Sequence, residues 1–571
     1  MDVLKPKPKH THISIENCIM NKCLLLLIGL TNVIAEDCDS ENGVCFSQDT
    51  EKGVPWYEFD WKTYVRKDVL DEDKKDPVDR FGIHLLNSVD IGVNRTILKT
   101  RPNECGLKDW KRLGPLPRAT VIITYRDEPR STLLRTVVSV IEQSPADLLE
   151  EIILIDDNND DSTVGSELSA IAKVRVLRND KREGLIRSRI IGTKAATGEV
   201  LVFLDSHCEC EPGWLEPLLF RVKANPKRLA SPVINNINLF SYEIEPVSTY
   251  LRGGFNWNLD FFWEWIPARD RARRIRDPTY SFKTPAIAGG LFAIDRHWFM
   301  DLGLYDEGME IWGAENIELS LRIWTCGGEM EIVPCSKVGH IYKQKNVYSY
   351  PEGAVKTKTC NNRRIAQVWM DSFKAIYDLT LSRAELETEC KEANERVKLR
   401  SDLKCEPFDW YLDTVYPELQ LPVETDLAFG QIHFNQPSFL SCIDNIALGH
   451  ELGIGANSCL QSYHLQEYRL TKDNLIFHDD FCLSLSALKS GSEIVSVLCD
   501  KNDVNQHWAR HRPTSKKTLK SPLLKGYQIK HLRSDLCLDT THVKSKGLLA
   551  VKCNDREKEQ RFLFSYNIVK V

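Results

Sequence analysis

The segment Val202-Phe203-Leu204-Asp205-Ser206-His207-Cys208-Glu209-Cys210 is the most informative part of this chain, because an apolar strand ends there in two side chains of metal-ligand type. Residues i and i+2 of a strand share a face, so Asp205 and His207 are predicted to hold one divalent ion. Oxygen and imidazole ligands suit Mn2+ or Mg2+, which keep positions open for phosphate oxygens. The segment therefore favours a nucleotide diphosphate as ligand. A solvated Asp and a structural His at a strand end are the alternative.

The composition indicates a globular protein of more than one domain, with 571 residues of which 42% are hydrophobic. A formal net charge of -6 and scattered basic residues predict no nucleic-acid partner. The 18 cysteines favour an oxidising compartment with disulfides. A zinc protein is the alternative, and the absence of any Cys-x-x-Cys pair counts against it.

The N-terminus is typical of entry into the secretory pathway. Lysines precede an apolar run from Cys23 to Ala35, and acidic residues follow it. This charge order predicts a cytoplasmic tail at residues 1–22 and a lumenal remainder, with the membrane as a partner of the N-terminal segment. The run is shorter than the roughly 20 residues of a comfortable span, so a signal anchor and a cleaved signal peptide both stay open.

Residues 36–115 are charged, polar and broken by Pro, as expected of a lumenal stem.

The middle of the chain, which follows this stem, is predicted to be an α/β domain. Strands then alternate with helices over residues 116–371, which predicts a mostly parallel sheet with ligands at the carboxyl ends of its strands. Thr124, Asp157 and Asp205 stand at such ends, so we expect them to converge on one crevice. No Gly-x-Gly-x-x-Gly and no P-loop motif occurs, which argues against a dehydrogenase and a P-loop kinase.

Over residues 427–571 one sequence unit occurs three times, which indicates threefold architecture. Each unit has a cysteine pair followed by Gln-x-aromatic. The pairs are Cys442 with Cys459, Cys482 with Cys499 and Cys537 with Cys553, and the glutamines are Gln466, Gln506 and Gln560. This pattern resembles the ricin-type β-trefoil lectin, which implies an all-β fold in which each unit has its own disulfide. A charged, helical-looking stretch within residues 372–426 is the predicted linker.

Three further segments favour the metal and nucleotide hypothesis. Arg182 opens a helix before the Asp-Ser-His strand and is predicted to contact a phosphate or a nucleobase. An ordinary basic helix face is the alternative. Trp312, Glu315 and Asn316 combine an aromatic platform with a carboxylate and an amide, which suits sugar hydroxyls; a core Trp is the alternative. His340 follows a short strand and is either structural or the third metal ligand.

Together these segments resemble the polypeptide N-acetylgalactosaminyltransferases from about Val54 to the C-terminus. The motifs that carry the resemblance are Leu133-Leu134-Arg135-Thr136-Val137, Asp205-Ser206-His207-Cys208-Glu209-Cys210, Trp214-Leu215-Glu216-Pro217-Leu218, Gly253-Gly254-Phe255-Asn256-Trp257 and Val368-Trp369-Met370-Asp371. The resemblance implies a GT-A type glycosyltransferase domain followed by the trefoil. It also implies a Mn2+-dependent, retaining transfer of GalNAc from UDP-GalNAc to Ser or Thr of polypeptides or glycopeptides, which initiates mucin-type O-glycosylation. The implied location is the Golgi membrane, as a single-pass type II protein, or a secreted form after cleavage.

The resemblance further implies roles for individual positions. The implied metal ligands are Asp205, His207 and His340, and uridine and ribose are held by Thr124, Asp157, Arg182 and Ser206. The implied catalytic donor-sugar pocket is formed by Trp312, Glu315 and Asn316, the acceptor peptide lies on Phe261 and Trp263, and the loop that closes over UDP carries Tyr342, Lys343, Asn346 and Tyr348. The implied lectin residues that bind GalNAc-bearing glycans are Asp444 and Asp539, and the implied disulfides join Cys105 to Cys335 and Cys326 to Cys405, with Cys208 and Cys210 left free.

Several positions depart from the family pattern and bear on activity. Lys343 replaces the family Arg of the closing loop, so a bidentate phosphate contact becomes a point charge. Asn346 replaces a His, and Glu352 adds negative charge beside a diphosphate. Ala314 stands where Gly is customary, and Arg126-Asp127-Glu128 stands where the family has His-Asn-Glu.

The lectin units also differ among themselves. Ser484 of the middle unit replaces the Asp that accepts GalNAc hydroxyls, which predicts sugar binding by the first and third units only. A catalytically silent glycan-binding relative that acts through the trefoil is therefore the alternative to an active transferase. A glycosidase built on paired carboxylates has little support.

Overall fold

The computed structural model describes residues 37–39, 44–46, 53–345, 349–419, 421–422, 426–436, 439–448, 451–459, 466–478, 480–512 and 526–567. The apolar run 23–35 lies outside the described residues, as do Asn346 and Tyr348. Within the part that is described, no helix is both long and apolar enough to cross a membrane.

The N-terminal part of the described chain forms an α/β domain. Its N-terminal elements are β1 (Asp37–Asp39), β2 (Val44–Phe46), α1 (Trp61–Arg66) and α2 (Leu85–Asp90). The alternating part comprises β3 (Ala119–Tyr125), α3 (Arg130–Gln143), β4 (Leu149–Asp156), α4 (Thr163–Ser166), β5 (Val174–Arg178), α5 (Gly184–Ala195), β6 (Val200–Asp205), β7 (Cys208–Cys210), α6 (Leu215–Ala224) and β8 (Arg228–Ile237). The second half comprises β9 (Ile244–Glu245), β10 (Leu251–Phe255), β11 (Phe261–Trp265), α7 (Ala268–Arg276), β12 (Phe282–Lys283), β13 (Phe292–Asp295), α8 (Arg296–Asp301), α9 (Glu315–Thr325), β14 (Glu329–Ile341) and α10 (Ala354–Trp369).

Eight of these strands form the path of one mixed sheet, in the order β12-β14-β8-β13-β6-β3-β4-β5, and β7 and β9 pair at its side. The pairs β1–β2 and β10–β11 are separate two-stranded sheets. β3 pairs in parallel with β4 and β6, and β4 with β5, whereas β13 runs antiparallel to β6 and β8. Alternate residues of β3 enter two hydrophobic clusters, Ile122 one and Val121 the other, because successive side chains point to opposite faces. A strand covered on both faces is largely apolar, which is why β3 and β6 have no polar alternation.

The register of the sheet brings the predicted polar residues together at one edge. Thr124 pairs with Asp205, so the ends of β3 and β6 lie side by side. At the other side of the crevice β7 pairs antiparallel with β14, and His340 stands opposite Cys208. The short β7 thereby carries His340 next to His207, which is distant in sequence.

Residues 53–115 differ from the open stem that their polarity predicts, since they pack on the α/β domain. Tyr64 and Val65 of α1 are 1% exposed and belong to the cluster that includes β3. A disulfide joins Cys105 to Cys335 of β14. Burying a side chain of this size stabilises a fold by about 2 kcal/mol, so the scattered apolar residues of this segment suffice to hold it down.

The predicted linker is helical but packs onto the same domain. It contains α11 (Lys374–Thr380), α12 (Arg383–Leu386), α13 (Asn394–Asp402) and α14 (Phe408–Thr414). Tyr377, Phe408 and Tyr411 are buried in the cluster that also contains α9 residues. Two disulfides fix this region: the expected Cys326–Cys405, and Cys360–Cys390, which sequence reasoning missed.

The C-terminal domain is an all-β fold, with twelve strands among its described residues. They are β15 (Asp426–Gln436), β16 (Phe439–Leu448), β17 (Glu451–Ser458), β18 (Glu467–Thr471), β19 (Ile476–His478), β20 (Phe481–Leu485), β21 (Ser492–Leu498), β22 (Trp508–His511), β23 (Gln528–His531), β24 (Leu536–Asp539), β25 (Leu549–Lys552) and β26 (Leu563–Asn567), with α15 (Val543–Lys546) before β25. The last strand, β26, pairs back onto β15. Each of the three repeats has its own disulfide, as predicted. The aromatic residues of the three Gln-x-aromatic motifs, Tyr468, Trp508 and Phe562, share the central core.

Candidate active site

The strand ends of the α/β sheet border a cavity of about 380 Å³. It lies at the carboxyl end of β3 and β6, where ligands sit in open α/β sheets. Most of the site residues predicted from sequence line it: Thr124, Asp157, Arg182, Asp205, Ser206, His207, Trp312, Glu315, His340, Tyr342 and Lys343.

Three of these side chains form a candidate metal centre. Ligand atoms of Asp205, His207 and His340 all lie within 4.8 Å of one another. The Nε2 of His340 is 3.2 Å from Oδ2 of Asp205, and the two imidazole rings have centroids 4.7 Å apart. One oxygen and two nitrogen ligands in this arrangement fit Mn2+, which accepts both carboxylate and imidazole.

Arg189 and the cavity wall hold Asp205 in place. The Nη2 of Arg189 donates to Oδ1 of Asp205 at 3.1 Å and to the Gly290 carbonyl at 2.9 Å. A Cβ at Gly290 would come within 2.4 Å of Oδ2 of Asp205, so only glycine leaves room for the carboxylate. Burial raises the pKa of Asp205, but the hydrogen bond with His340 and the charge of Arg189 outweigh it and hold that pKa well below its usual range.

Glu128 is a functional candidate that sequence reasoning missed. It is buried, and its Oε2 accepts hydrogen bonds from Ser206 Oγ at 2.8 Å and Lys343 Nζ at 2.9 Å, and lies 3.0 Å from His207 Nδ1. Burial lowers the pKa of His207 in spite of the nearby Glu128, which favours the neutral imidazole that binds metals. A signal existed in the sequence, since Glu128 follows β3 by three residues at the ligand edge of the sheet.

The residues expected to hold the nucleotide have different surroundings. The Oγ1 of Thr124 is buried and has no hydrogen-bond partner among the described residues. Asp157 accepts hydrogen bonds from the backbone N–H groups of Glu183 at 2.7 Å and Gly184 at 3.0 Å, so it fixes the start of α5. Arg182 donates to Ser349 Oγ at 3.0 Å, which ties the cavity wall to the segment that follows the closing loop.

The expected donor-sugar residues lie at the start of α9. Trp312 is 45% exposed and lines the cavity, so the core alternative is wrong. Glu315 is buried and accepts a hydrogen bond from the Gly313 N–H at 2.7 Å, and burial raises its pKa. Asn316 does not line this cavity; its Nδ2 donates to the Ile287 carbonyl at 3.0 Å.

The expected acceptor residues also lie outside this cavity. Phe261 and Trp263 are on β11, in a hairpin with β10, and their rings make an edge-to-face contact at 5.2 Å. Tyr342, which was expected in the loop that closes over UDP, does line the cavity. It is half exposed, and its ring centroid is 4.6 Å from that of His340.

The trefoil repeats differ at the position expected to bind sugar. Gln466 Nε2 donates to Oδ2 of Asp444 at 2.9 Å, and Gln560 Nε2 donates to Oδ2 of Asp539 at 3.2 Å. In the middle repeat the corresponding Gln506 donates to Asp503 at 3.2 Å. The first and third repeats therefore keep a carboxylate at the shared position, and the middle repeat does not.

Family descriptions match three parts of the chain. Glycosyl transferase family 2 matches residues 120–299, the N-terminal domain of galactosyltransferase matches residues 269–346, and the ricin-type beta-trefoil lectin domain matches residues 429–562.

Similar proteins cover most of the chain. It is 40% identical to polypeptide N-acetylgalactosaminyltransferase 14 of Homo sapiens over 492 residues, which are 85% of this chain and 85% of that one. It is 40% identical to polypeptide N-acetylgalactosaminyltransferase 4 of Caenorhabditis elegans over 457 residues, which are 79% of this chain and 76% of that one. A crystal structure of GalNAc-T7 with UDP, GalNAc and Mn2+ is 30% identical, has a TM-score of 0.58, and covers 88% of this chain and 91% of that one. The predicted GT-A domain followed by a β-trefoil is confirmed by these likenesses. The chain belongs to the polypeptide N-acetylgalactosaminyltransferase family.

Proposed function

We propose that the protein transfers GalNAc from UDP-GalNAc to Ser or Thr hydroxyls of polypeptides, with retention of configuration, and that it requires Mn2+. The observation that carries the proposal is the convergence of Asp205, His207 and His340 within 4.8 Å at the wall of the cavity. Family membership supports the same activity.

The donor set fits the metal. The Nε2 of His340 lies 3.2 Å from Oδ2 of Asp205, so one ion can contact both side chains. His207 uses Nδ1 toward Glu128, which leaves Nε2 for the ion. When bound, Mn2+ supplies positive charge that stabilises the departing diphosphate.

The chain's own residues position the donor. Thr124 offers a buried hydroxyl to uridine or ribose, and Asp157 keeps α5 and Arg182 in place beside it. The Ser206 hydroxyl donates a hydrogen bond to Glu128, so the lone pairs of the Ser206 oxygen face the nucleotide. Lys343 brings a cation to the mouth of the cavity, where it meets a phosphate as a point charge.

The sugar and the acceptor meet on the side of α9. Trp312 presents an exposed ring to the sugar, and the buried carboxyl of Glu315 faces its hydroxyls, with Asn316 behind them. Phe261 and Trp263 give an aromatic surface for the acceptor peptide. Asn346 and Tyr348 belong to the proposed closing loop. The trefoil binds GalNAc-bearing glycans through Asp444 and Asp539.

The proposed location is the lumen of the Golgi, with the apolar run 23–35 as the membrane segment. Six disulfides among the described residues support an oxidising compartment.

Release of UDP from UDP-GalNAc tests the activity. The full chain is assayed with Mn2+ and a Thr-containing peptide, and matched reactions contain a chelator, no peptide, or UDP-glucose. Turnover that needs Mn2+, peptide and UDP-GalNAc, with the glycopeptide seen by mass spectrometry, supports the enzyme. Absent turnover with intact GalNAc binding would support the silent glycan-binding alternative.

A further inference from the structure

A second cavity, of about 320 Å³, lies away from the metal centre. Its walls come from α6, α7, β14 and the segment around Trp110. The residues assigned above to metal, nucleotide and sugar take no part in it.

This cavity has an excess of positive charge, although the whole chain carries a formal charge of -6. Six Lys and Arg side chains line it against three carboxylates. Four of these cations are paired: Arg221 lies 2.6 Å from Glu331, Lys108 3.7 Å from Asp277, Arg273 3.9 Å from Asp270, and Lys283 3.6 Å from Glu329. In the described part of the chain, Arg112 and Arg269 have no carboxylate within 4.0 Å, so positive charge remains for a ligand.

Aromatic rings line the same cavity. The Arg112 guanidinium lies 4.7 Å from the ring centroid of Phe220, and Nη1 of Arg273 donates to the Tyr280 hydroxyl at 2.9 Å. Trp110 packs edge-to-face on Phe220. Rings that orient guanidinium groups reduce the entropy lost when these groups bind carboxylates.

The cavity lies near the proposed acceptor surface. Tyr280 of its wall and Trp263 of β11 pack in one hydrophobic cluster. Along β14, Val333 in the cavity pairs with Pro232, and the metal-site residue His340 pairs with Asn236. On β8, Asn236 lies four residues beyond Pro232. At about 3.3 Å per residue, the cavity and the metal-site residue are therefore about 13 Å apart along this strand. An extended polypeptide bridges that distance with a few residues.

We propose that this cavity binds an acidic segment of the acceptor polypeptide, through Asp or Glu residues that flank the modified Ser or Thr. This inference rests on the proposed function. Contacts of exposed charges act mainly on encounter and on KM, and they weaken as salt rises. The cavity therefore selects among acceptors and leaves the chemical step unchanged.

The test compares two acceptor peptides that differ only in flanking Asp and Glu against Asn and Gln. The proteins are the full wild-type chain, Arg269→Gln, the double variant Arg112→Gln/Arg269→Gln, and the control Arg271→Gln. Arg271 is an exposed residue of α7 that does not line the cavity. Turnover is measured at low and high salt, and peptide binding is measured separately by fluorescence anisotropy, with inorganic phosphate as a competitor.

We expect the wild type to favour the acidic peptide by roughly fivefold in kcat/KM at low salt, through KM. Arg269→Gln reduces this preference, the double variant removes it, and Arg271→Gln keeps it. An equal preference in the wild type and the double variant overturns the inference, as does phosphate binding at this cavity without binding of the acidic peptide. Absent turnover on both peptides would overturn the proposed function instead, because anisotropy still reports the acidic segment.

Discussion

Glu128 joins Lys343 to His207: the same carboxylate oxygen, Oε2, accepts a hydrogen bond from Lys343 Nζ at 2.9 Å and lies 3.0 Å from His207 Nδ1. Burial raises the pKa of Glu128, but the charges of Lys343 and His207 outweigh it and hold that pKa well below its usual range. The carboxylate is therefore ionised at neutral pH. Glu128 thereby fixes the orientation of His207, which is a proposed metal ligand, and the position of the Lys343 ammonium group in the cavity wall.

Glu128→Gln is expected to weaken Mn2+ activation and turnover about 10-fold to 100-fold, because partners of metal-binding imidazoles set their orientation and basicity. The concentration of Mn2+ at half-maximal turnover and kcat/KM for UDP-GalNAc are measured together. Asp160→Asn is the control, since its side chain is 99% exposed. An unchanged Mn2+ midpoint in Glu128→Gln would show that this contact has no role in positioning.

Ala314→Gly is expected to stabilise the protein by roughly 0.5 kcal/mol. Ala314 has φ 76°, in the left-handed region, at the start of α9. A non-glycine residue there costs about 1–2 kcal/mol, which exceeds the extra entropy that glycine gives the unfolded chain. Urea unfolding measures the change.

Ala272→Gly is the matched control for this substitution. Ala272 is exposed within α7, where glycine is expected to cost about 1 kcal/mol. The two variants should therefore change stability in opposite directions. Destabilisation of similar size in both would contradict the strain at Ala314.

Glu318→Gln is expected to lower the free energy of unfolding by about 3 kcal/mol at pH 7, because it leaves two buried arginines without their carboxylate. Glu318 accepts hydrogen bonds from Arg322 at 2.8 Å and Arg396 at 3.1 Å. Burial raises its pKa, but these arginines outweigh burial and lower it from 4.5 to about 2.

The stabilisation by ionised Glu318 is thus present above the unfolded-state pKa of about 4.5 and is lost as the pH falls toward about 2. Urea unfolding of the wild type and Glu318→Gln between pH 7 and pH 3 should show their difference shrink. Glu387→Gln, in an exposed pair with Arg383, should cost almost nothing. A difference that stays constant with pH would contradict this linkage.

GalNAc binding to the trefoil is expected at two sites. Asp444→Asn and Asp539→Asn should each remove one site, and the double variant should remove both, because an amide is a weaker acceptor for sugar hydroxyls than a carboxylate. Titration calorimetry measures the stoichiometry, and Ser484→Ala is the control that keeps both sites. Loss of a site in Ser484→Ala would place sugar in the middle repeat.

The sequence predicts the parts of the fold that depend on local pattern. The apolar runs of β3, β4 and β6 and the three cysteine pairs are periodic signals, and Thr124 and Asp205 meet where the strand order places them. Contacts between distant segments were harder to predict. The packing of α1 and the Cys360–Cys390 disulfide depend on tertiary neighbours that have no local pattern.

The candidate site shows the same division. Asp205 and His207 are recognisable because one strand end carries both, whereas Glu128 and Arg189 matter only through the residues that the fold brings to them. The sequence alone does not show whether Trp312 lies in the core or in the cavity, because its exposure depends on which distant segments pack around it. Spacing along the chain likewise does not predict that Trp263 packs in one hydrophobic cluster with Tyr280 of the basic cavity.

Mn2+ binding by Asp205→Asn tests whether Asp205, His207 and His340 hold the metal ion. The substitution keeps the size of the side chain and removes the charge that pairs with Arg189 and His340. Free Mn2+ is measured by electron paramagnetic resonance with UDP present, alongside UDP-GalNAc turnover, and urea unfolding reports that the variant is folded. We expect one Mn2+ bound by the wild type, none by Asp205→Asn, and turnover below about 1% of the wild type. Equal Mn2+ binding and turnover in the two proteins would contradict the account.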